Sequence, residues 1–349
     1  MTDLQLSRRG VLAAGAAIGG AAVLAGALPG TAAAEPAVDG AWRRPPKLVS
    51  GDRVRLVSPA AGPDHARLDI GKKMLESWGL VVEIGEHALG RFGYLSAPDA
   101  DRAADVNDAF ADPGVRAVFA TRGGWGTGRI MDAIDFTGMS EHPKFFVGYS
   151  DVTSMHMGIW RRARVATVHG PMLAWNTDLH GPTDGPAALE LKSALMSAEP
   201  VVLHRDPAIP SSGVESPGKA TGRLFGGNLS ILVTEPRDGN APRTEGGILF
   251  FEDTNEAPYS VDRMLTELLR DGWFDGIAGI ALGTFTSSVG NPGDWTILDV
   301  LADRLLPVGV PILGGFNVGH EARPHTMPFG TKATIDTAAG TLTVTAAAS

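Results

Sequence analysis

Short apolar runs alternate with amphipathic helical segments along the first half of this 349-residue chain. The predicted strands are 53–58, 80–84 and 115–120, the predicted helices are 64–78, 99–111 and 126–134, and a further strand precedes the serine at position 150. Strands that alternate with helices at this spacing pair in parallel, because each crossover returns the chain to the same end of the sheet. Ligands of such sheets bind beyond the carboxyl ends of the strands, so we expect the functional residues of this half at that edge.

The second half of the chain has a different pattern, which predicts a second domain. Proline, glycine, serine and aspartate dominate between positions 175 and 219, around one helical segment at 187–196. Beyond them the predicted strands are 247–251, 276–282, 310–313 and two short threonine-rich segments near the end, and the predicted helices are 260–270 and 296–305. A single core stops growing near about 250 to 300 residues, so this length favours two domains. We predict an N-terminal domain over 35–174, a linker over 175–218 and a mixed α/β C-terminal domain over 219–349.

The N-terminus has the pattern of an export signal. Arg8 and Arg9 precede an apolar stretch over 11–28, and three alanines follow at 32–34. This order is typical of a twin-arginine signal peptide, here over 1–34, with a small-residue cleavage site. A retained membrane anchor is the alternative, but the stretch is rich in alanine and glycine and ends without basic stop-transfer residues. We expect a protein of the periplasm, the cell wall or the extracellular space, without stable membrane insertion once the signal is removed.

Composition and motifs narrow the choice of partners. The formal net charge of -9 argues against nucleic acid, whose phosphate backbone is bound by basic surfaces. The chain has no cysteine, which excludes disulfides and a thiol nucleophile. No His-Glu-x-x-His motif or comparable cluster offers metal ligands, and the glycines at 123–128 do not have the spacing of a dinucleotide-binding loop. We therefore expect neither a metal nor a cofactor.

A Gly-Tyr-Ser-Asp corner at 148–151 places Ser150 between an apolar strand and a helical segment. A serine at such a turn stands clear of the sheet, and the free N–H groups that open the next helix point at any oxyanion formed beside it. The hydroxyl needs a neighbouring base, which a carboxylate usually orients. Among nine histidines we favour His320, which follows a strand and precedes a loop, and His169 is the alternative. The pattern predicts a serine hydrolase.

Two consecutive carboxylates, Glu252 and Asp253, follow the apolar run that ends at position 251. At a strand end they are placed to reach a site shared with Ser150. Consecutive side chains of a strand point to opposite faces, so only one of them can do so, and we favour Glu252. A helix cap or an exposed turn is the alternative for either residue, because capping residue types follow at once.

Taken together, these segments resemble one family. The order of the Ser150 corner, the Phe-Glu-Asp segment at 251–253 and the Gly-His pair at 319–320 resembles the LD-carboxypeptidases, a serine peptidase family that includes the microcin C immunity peptidases. Further matching segments are Thr-Arg-Gly-Gly-Trp-Gly at 121–126 and Leu-Phe-Gly-Gly-Asn-Leu at 224–229. The resemblance implies an α/β fold with a flavodoxin-like parallel-sheet N-terminal domain, a smaller C-terminal domain like a swivelling barrel, and an active site in the cleft between them.

The resemblance also implies roles for individual residues. Ser150 would be the nucleophile, His320 the general base and later acid, and Glu252 the group that orients the imidazole. Backbone N–H groups of Gly124 and Asp151 would form the oxyanion hole.

Two further residues, Trp125 and Asn228, would bind substrate in such an enzyme. Core packing explains Trp125 about as well, and a turn before the next helix explains Asn228 nearly as well. The family often has tyrosine in place of Trp125 and leucine in place of Met327, and neither departure touches the proposed chemistry.

The activity that the resemblance implies is hydrolysis of the L,D amide bond of a murein tetrapeptide, a peptidoglycan-derived substrate, with release of terminal D-alanine through an acyl-enzyme. One alternative is cleavage of peptide- or aminoacyl-nucleotide conjugates, as in the microcin C immunity peptidases. An alternative from another class is a non-catalytic periplasmic binding protein, which would share the export signal and a cleft between two α/β domains. A homodimer is a further expectation from the family.

Overall fold

The computed structural model describes residues 41–175, 185–235 and 244–349, and the predicted signal over 1–34 lies outside these ranges. In chain order the strands are β1 (Arg53–Val57), β2 (Val81–Ile84), β3 (Val115–Ala120), β4 (Phe145–Gly148), β5 (Thr167–His169), β6 (Val201–His204), β7 (Glu215–Ser216), β8 (Lys219–Asn228), β9 (Ile248–Thr254), β10 (Gly279–Thr286), β11 (Ile312–Gly314), β12 (Met327–Phe329), β13 (Lys332–Asp336) and β14 (Thr341–Val344). The α-helices are α1 (His65–Ser77), α2 (Asp99–Ala111), α3 (Thr137–Glu141), α4 (Thr153–Arg162), α5 (Pro186–Met196), α6 (Leu229–Leu232), α7 (Pro258–Arg270) and α8 (Ile297–Leu305). Within the described ranges, none of the helices is long and apolar enough to cross a membrane.

The first sheet has six strands in the order β12-β5-β4-β3-β1-β2. Strands β1 to β5 run parallel, and β12 pairs antiparallel with β5 at the edge. The order 2-1-3-4-5 of the parallel strands is the doubly wound, flavodoxin-like arrangement. The parallel sheet predicted from the alternating pattern is therefore confirmed.

Alternate residues of the central strands enter two separate cores. Phe145 and Val147 of β4 pack on one face of the sheet, with apolar residues of α1 and α5. Phe146 packs on the other face, where its ring meets that of Phe110 of α2 edge-on at 6.4 Å between centroids. Side chains alternate along a strand, so a strand covered on both faces is apolar at every position. This packing holds the end of β4, and with it the Ser150 corner, in place.

The second sheet has eight strands in the order β6-β14-β13-β8-β9-β10-β11-β7. The four central strands β8 to β11 are parallel, and the pairings outside them are antiparallel. Val261 and Leu265 of α7 lie one helical turn apart and pack with Leu301 of α8 against the apolar residues of β9. The sheet curls into a half-barrel, which confirms the mixed α/β second domain and its barrel-like form.

Three elements differ from the prediction in ways that matter for the site. The helix predicted at 126–134 is a 3-10 helix, Thr127–Ala133, because it starts from Gly126 at a φ of 132° and contains a second glycine. Strand β9 continues past position 251 to Thr254, so Glu252 and Asp253 are strand residues and not turn residues. The loop expected after His320 contains a strand, Met327–Phe329, which is β12 and joins the first sheet.

The segment predicted as a linker, 175–218, contributes to both halves of the structure. Helix α5 packs in the core of the first sheet, whereas β6 and β7 form the two edges of the second. The described residues form one compact unit, in which β12 crosses from the second half of the chain to the first sheet. The limits 35–174 and 219–349 stay predictions of where the domains begin and end.

Candidate active site

Ser150 lies at the sharp corner between β4 and α4. Tyr149 is still extended, with a φ of -154°, whereas Ser150 has a φ of 63° and opens the 3-10 turn that leads into α4. The left-handed conformation costs a residue with a side chain about 1–2 kcal/mol. Strand β4 is buried at all its positions and cannot relax to remove this strain. The corner therefore holds the hydroxyl clear of the sheet, as the Gly-Tyr-Ser-Asp pattern predicted.

His320 and Glu252 form a hydrogen-bonded line with Ser150. The Ser150 hydroxyl lies 3.0 Å from His320 Nε2, and His320 Nδ1 lies 2.7 Å from Glu252 Oε2. A carboxylate can only accept, so Nδ1 carries the ring proton and Nε2 is left to accept from the hydroxyl. The fold thus brings together side chains that lie 68 and 170 residues from His320 along the chain.

Gly319 allows the contact between His320 and Glu252. Its φ is 132°, and a Cβ atom at this position would lie 2.6 Å from Thr284 Oγ1 and 2.7 Å from Glu252 Oε2. Both distances are too short for a real Cβ atom, so any other residue would displace the carboxylate or the backbone that carries His320. The sequence shows the Gly-His pair, but the reason for the glycine is a contact across the fold.

The carboxylates set the protonation of His320. Burial on its own lowers the pKa of a histidine, but the charge and hydrogen bond of Glu252, and then the charge of Asp253, raise the pKa of His320 above its usual value. Glu252 is fully buried, and its second oxygen, Oε1, has no hydrogen-bond partner among the described residues. A buried negative charge therefore stabilises the imidazolium, the form that a base takes once it has accepted a proton.

Asp253 makes its contacts away from His320. Its carboxylate accepts hydrogen bonds from the backbone N–H of Ser230 at 2.8 Å, the N–H of Thr254 at 2.7 Å and the side-chain amide of Asn228 at 3.2 Å. Burial, followed by the charge of the adjacent carboxylate, raises the pKa of Asp253 to about 7. The two consecutive carboxylates therefore serve different neighbours, in agreement with the alternation of side chains along a strand.

The two residues expected to bind substrate have different surroundings. Asn228 is 3% exposed, and its amide is engaged within the protein, with Asp253 on one side and the Ser230 hydroxyl, at 2.6 Å, on the other. Trp125 is 46% exposed, so it is not the core residue that the alternative interpretation required. As substrate contacts both stay predictions, and Trp125 is the one whose side chain faces solvent.

A hydrogen bond to Asp151 connects the loop that contains Gly124 to the Ser150 corner. The buried Asp151 carboxylate accepts the backbone N–H of Thr127 at 2.8 Å. Burial raises the pKa of Asp151 above its usual range. Gly124 itself has a φ of 120°, a conformation that favours glycine. The two segments predicted to supply the oxyanion hole are thus tied together by one buried side chain.

Arg102 of α2 supports the same loop, and its role was not predicted. Its side chain is fully buried, and the guanidinium donates to the carbonyl oxygens of Gly126 at 2.9 Å and Ala97 at 3.1 Å, and to that of Pro59. One cation therefore joins α2 to the loops that follow β1 and β3. The sequence held one sign of this role. Arg102 lies four residues before Val106 and so on the same, buried face of α2, where a helix packed on a sheet is normally apolar.

His169, the alternative base, lies in an aromatic core. It is 1% exposed, and its ring packs against those of Tyr149, Phe250 and Phe329 at 5.3–5.8 Å between centroids. Burial holds its pKa well below the usual value, so the ring is neutral. Its Nε2 has no hydrogen-bond partner among the described residues. The structure therefore brings His320, and not His169, to Ser150.

The line of hydroxyl, imidazole and carboxylate has the composition of a nucleophile with its base and an orienting group. Ser150 is half-buried, so a ligand can reach it from solvent. Across the described ranges, no group of three or more His, Asp or Glu side chains is placed to hold a metal ion.

Comparison with known proteins identifies the family of the chain. The sequence profile of the LD-carboxypeptidase N-terminal domain matches residues 54–170, and that of the C-terminal domain matches residues 221–335. A Bacillus subtilis (strain 168) protein named "Probable murein peptide carboxypeptidase" is 37% identical over 308 residues, which cover 88% of this chain and 95% of the relative.

Solved structures extend the comparison to the fold. The muramoyltetrapeptide carboxypeptidase from Oxalobacter formigenes superposes with a TM-score of 0.73 at 25% identity, covering 84% of this chain and 97% of that chain. The microcin C7 self-immunity protein MccF has a TM-score of 0.74 at 23% identity, covering 86% of this chain and 98% of that chain, a likeness of fold. By its sequence profiles, its relatives and its fold, the chain belongs to the LD-carboxypeptidase family of peptidases.

Proposed function

We propose that the protein is a serine carboxypeptidase that hydrolyses the L,D amide bond of murein tetrapeptides and releases their terminal D-alanine. The observation that carries the proposal is the hydrogen-bonded line from Ser150 through His320 to Glu252, with Ser150 held in a strained corner. Such a line activates a hydroxyl that is otherwise a weak nucleophile at neutral pH.

In the first half of the reaction, Ser150 Oγ attacks the carbonyl carbon of the scissile amide, and His320 Nε2 takes the hydroxyl proton. The Nδ1–H stays hydrogen-bonded to Glu252, whose charge stabilises the imidazolium. The tetrahedral oxyanion accepts hydrogen bonds from the backbone N–H groups of Gly124 and Asp151. The imidazolium then protonates the leaving nitrogen, the C–N bond breaks, and D-alanine departs from an acyl-enzyme on Ser150.

In the second half, water replaces D-alanine beside the ester. His320 takes a proton from the water as its oxygen attacks the acyl carbon, and the oxyanion again lies at the N–H groups of Gly124 and Asp151. The ester bond breaks, His320 returns the proton to Ser150, and the shortened peptide leaves with a new carboxylate. The base thus ends each cycle neutral, as it began.

The substrate is inferred from two sources. The Bacillus subtilis relative is named for murein peptides and the Oxalobacter formigenes structure for the muramoyl tetrapeptide, and the predicted export signal over 1–34 would bring the protein to the compartment of the cell wall. Cleavage of aminoacyl-nucleotide conjugates would use the same nucleophile and base, so the substrate assay includes it. A non-catalytic binding protein would have no use for a strained serine with a base at 3.0 Å.

The test is mass spectrometry of a defined L,D-tetrapeptide after incubation with the purified protein. A parallel reaction uses an aminoacyl-sulfamoyl adenylate as the substrate. We expect the tetrapeptide to lose the mass of one alanine, and the Ser150→Ala variant to lose nearly all turnover. Ser140→Ala, at a half-buried serine of α3, is the matched control and should be as active as the wild type. Release of D-alanine by Ser150→Ala at the wild-type rate would refute the mechanism, and cleavage of the adenylate alone would refute the substrate.

A further inference from the structure

Arg122 opens the glycine-rich loop and is the residue before Gly123, which lies beside Ser150. It follows the carboxyl end of β3 and precedes Gly123, whose backbone touches the serine. A Cβ atom built on Gly123 would lie 3.1 Å from Ser150 Cβ and 3.3 Å from Ser150 Oγ. A side chain at position 122 therefore starts one residue from the reacting hydroxyl, at the sheet edge where ligands of parallel sheets bind.

The guanidinium of Arg122 is held by an aromatic ring and not by a carboxylate. It lies 4.8 Å from the centroid of Trp175, and among the described residues it makes no ion pair. Trp175 is 44% exposed and belongs to the segment after β5, which reaches this loop through a hydrogen bond from the N–H of Ala174 to the carbonyl of Thr121 at 3.0 Å. A cation–π contact uses the charge of an arginine but none of its five N–H donors, and no described residue accepts a hydrogen bond from those of Arg122.

Neighbouring arginines on this side of the protein are already engaged. Arg129 pairs with Asp99 at 2.8 Å, and the buried Arg102 donates to three carbonyl oxygens. Two acidic residues lie near Ser150, namely Glu252, which binds His320 in the hydrogen-bonded line, and Asp151, which is the following residue. An anionic ligand that approaches this site, in a protein with a net charge of -9, needs a local cation to offset the repulsion.

The reaction under Proposed function, on which this inference rests, defines such a ligand. A peptidase that releases one terminal residue acts on a bond that is one residue, about 3.5 Å of chain, from a free carboxylate. We propose that Arg122 binds this terminal carboxylate, through the planar fork of N–H donors that arginine presents to carboxylates, and that Trp175 holds the guanidinium in position. The contact makes the enzyme an exopeptidase, because a chain that continued beyond the leaving residue would present a neutral amide to Arg122.

The experiment compares two substrates, the tetrapeptide with a free C-terminal D-alanine and the same peptide with a C-terminal D-alaninamide. The wild type should prefer the free acid in kcat/KM. Arg122→Met should lower kcat/KM for the free acid about 10- to 100-fold, the loss expected for one charge-assisted contact, and change that for the amide less than about threefold. Arg122→Lys, which keeps the charge but not the fork, should fall between the two.

A binding measurement separates recognition from chemistry. In the Ser150→Ala background, calorimetry measures the affinity for the free acid and for the amide. Adding Arg122→Met should remove the preference in affinity for the free acid, as it does in turnover. Arg304→Met, at a half-buried arginine of α8 that pairs with Asp303, is the control and should leave both substrates unaffected. Thermal unfolding of each variant checks that the fold is retained.

The outcomes distinguish this inference from the function on which it rests. If the wild type releases D-alanine from neither substrate, both fail. If the wild type is active and the preference for the free acid is unchanged in a folded Arg122→Met variant, the carboxylate site is wrong and the peptidase assignment stands. Collapse of the preference in both turnover and binding supports the site.

Discussion

Glu252→Gln tests the electrostatic part of the mechanism. The substitution keeps the shape of the side chain and an oxygen that can accept from His320 Nδ1, now 2.7 Å away, but it removes a fully buried negative charge. When His320 takes the serine proton it becomes a cation about 4 Å from that charge, which at an effective dielectric constant of about 20 is an attraction of about 4 kcal/mol. Since about 1.4 kcal/mol is tenfold in rate, we expect kcat to fall about 1000-fold.

The pH profile provides a second readout with a defined sign. His320 acts as a base only when neutral, and its pKa is raised above the ordinary 6.5, so wild-type kcat/KM should decline as the pH falls through a value above 6.5. Without the charge of Glu252 the effect of burial dominates, and the acid limb should move to lower pH. Asp253→Asn removes the adjacent carboxylate, whose influence on His320 is smaller, and should shift the limb in the same direction by less.

The assay is the initial rate of D-alanine release at several substrate concentrations, from about pH 5 to 9, with the thermal midpoint of each variant as a check on folding. Loss of kcat in Glu252→Gln with a retained fold and a displaced acid limb is the expected result. A folded Glu252→Gln variant whose kcat stays within tenfold of the wild type, with the limb unmoved, would show that Glu252 does not stabilise the imidazolium.

Three further predictions concern the support of the site. Gly319→Ala should lower kcat about 100-fold, because the new methyl group would lie 2.7 Å from the carboxylate of Glu252. The control is Gly51→Ala, also at positive φ but with open space around it, which should lower only the free energy of unfolding, by about 1–3 kcal/mol. Equal kcat values in these two variants would contradict the prediction. Asp151→Ala removes the acceptor of the Thr127 N–H and should lower kcat about 10- to 100-fold, with KM changed less than threefold. A rise in KM alone would argue that Asp151 does not position the loop. Burial lowers the pKa of His156 from 6.5 to about 4, so the unfolded chain takes up a proton in this window before the folded one does. Urea denaturation should show that the unfolding free energy falls between about pH 6.5 and 4, and that the fall is about 3 kcal/mol larger for the wild type than for His156→Asn. Parallel plots of unfolding free energy against pH for the two proteins would contradict a buried neutral ring.

Much of the first sheet could be predicted from local pattern. Strands β1 to β3 and helices α1 and α2 were predicted within one residue, and β4 was predicted before Ser150 without bounds. A segment buried on both faces is apolar throughout, and an amphipathic helix repeats its apolar residues every turn. The Ser150 corner was equally local, since it depends on residues 148–151 and the strand before them. The exception was 126–134, where two glycines gave a 3-10 helix in place of an α-helix.

The sequence and the family resemblance favoured His320 over His169, but the physical reason for that choice lies in the tertiary structure. His169 and His320 have similar local surroundings in sequence, each next to a glycine at the end of an apolar segment. Pairing of β12 with β5 encloses His169 among aromatic rings, whereas the curled second sheet carries His320 to the serine. Neither event depends on the few residues around the histidine, so no local pattern distinguishes them.

The sequence by itself therefore determined the class of fold, the position of the candidate nucleophile and a short set of candidate partners, because periodicity and turn chemistry act over a few neighbouring residues. The tertiary structure alone shows how these partners come into contact. It extended β9 so that Glu252 and Asp253 face different neighbours, and it buried Arg102 beneath the loop after β3. The physical reason is that the contacts of the site join positions 68 and 170 residues apart, and only the packing of the two sheets brings such positions within hydrogen-bonding distance.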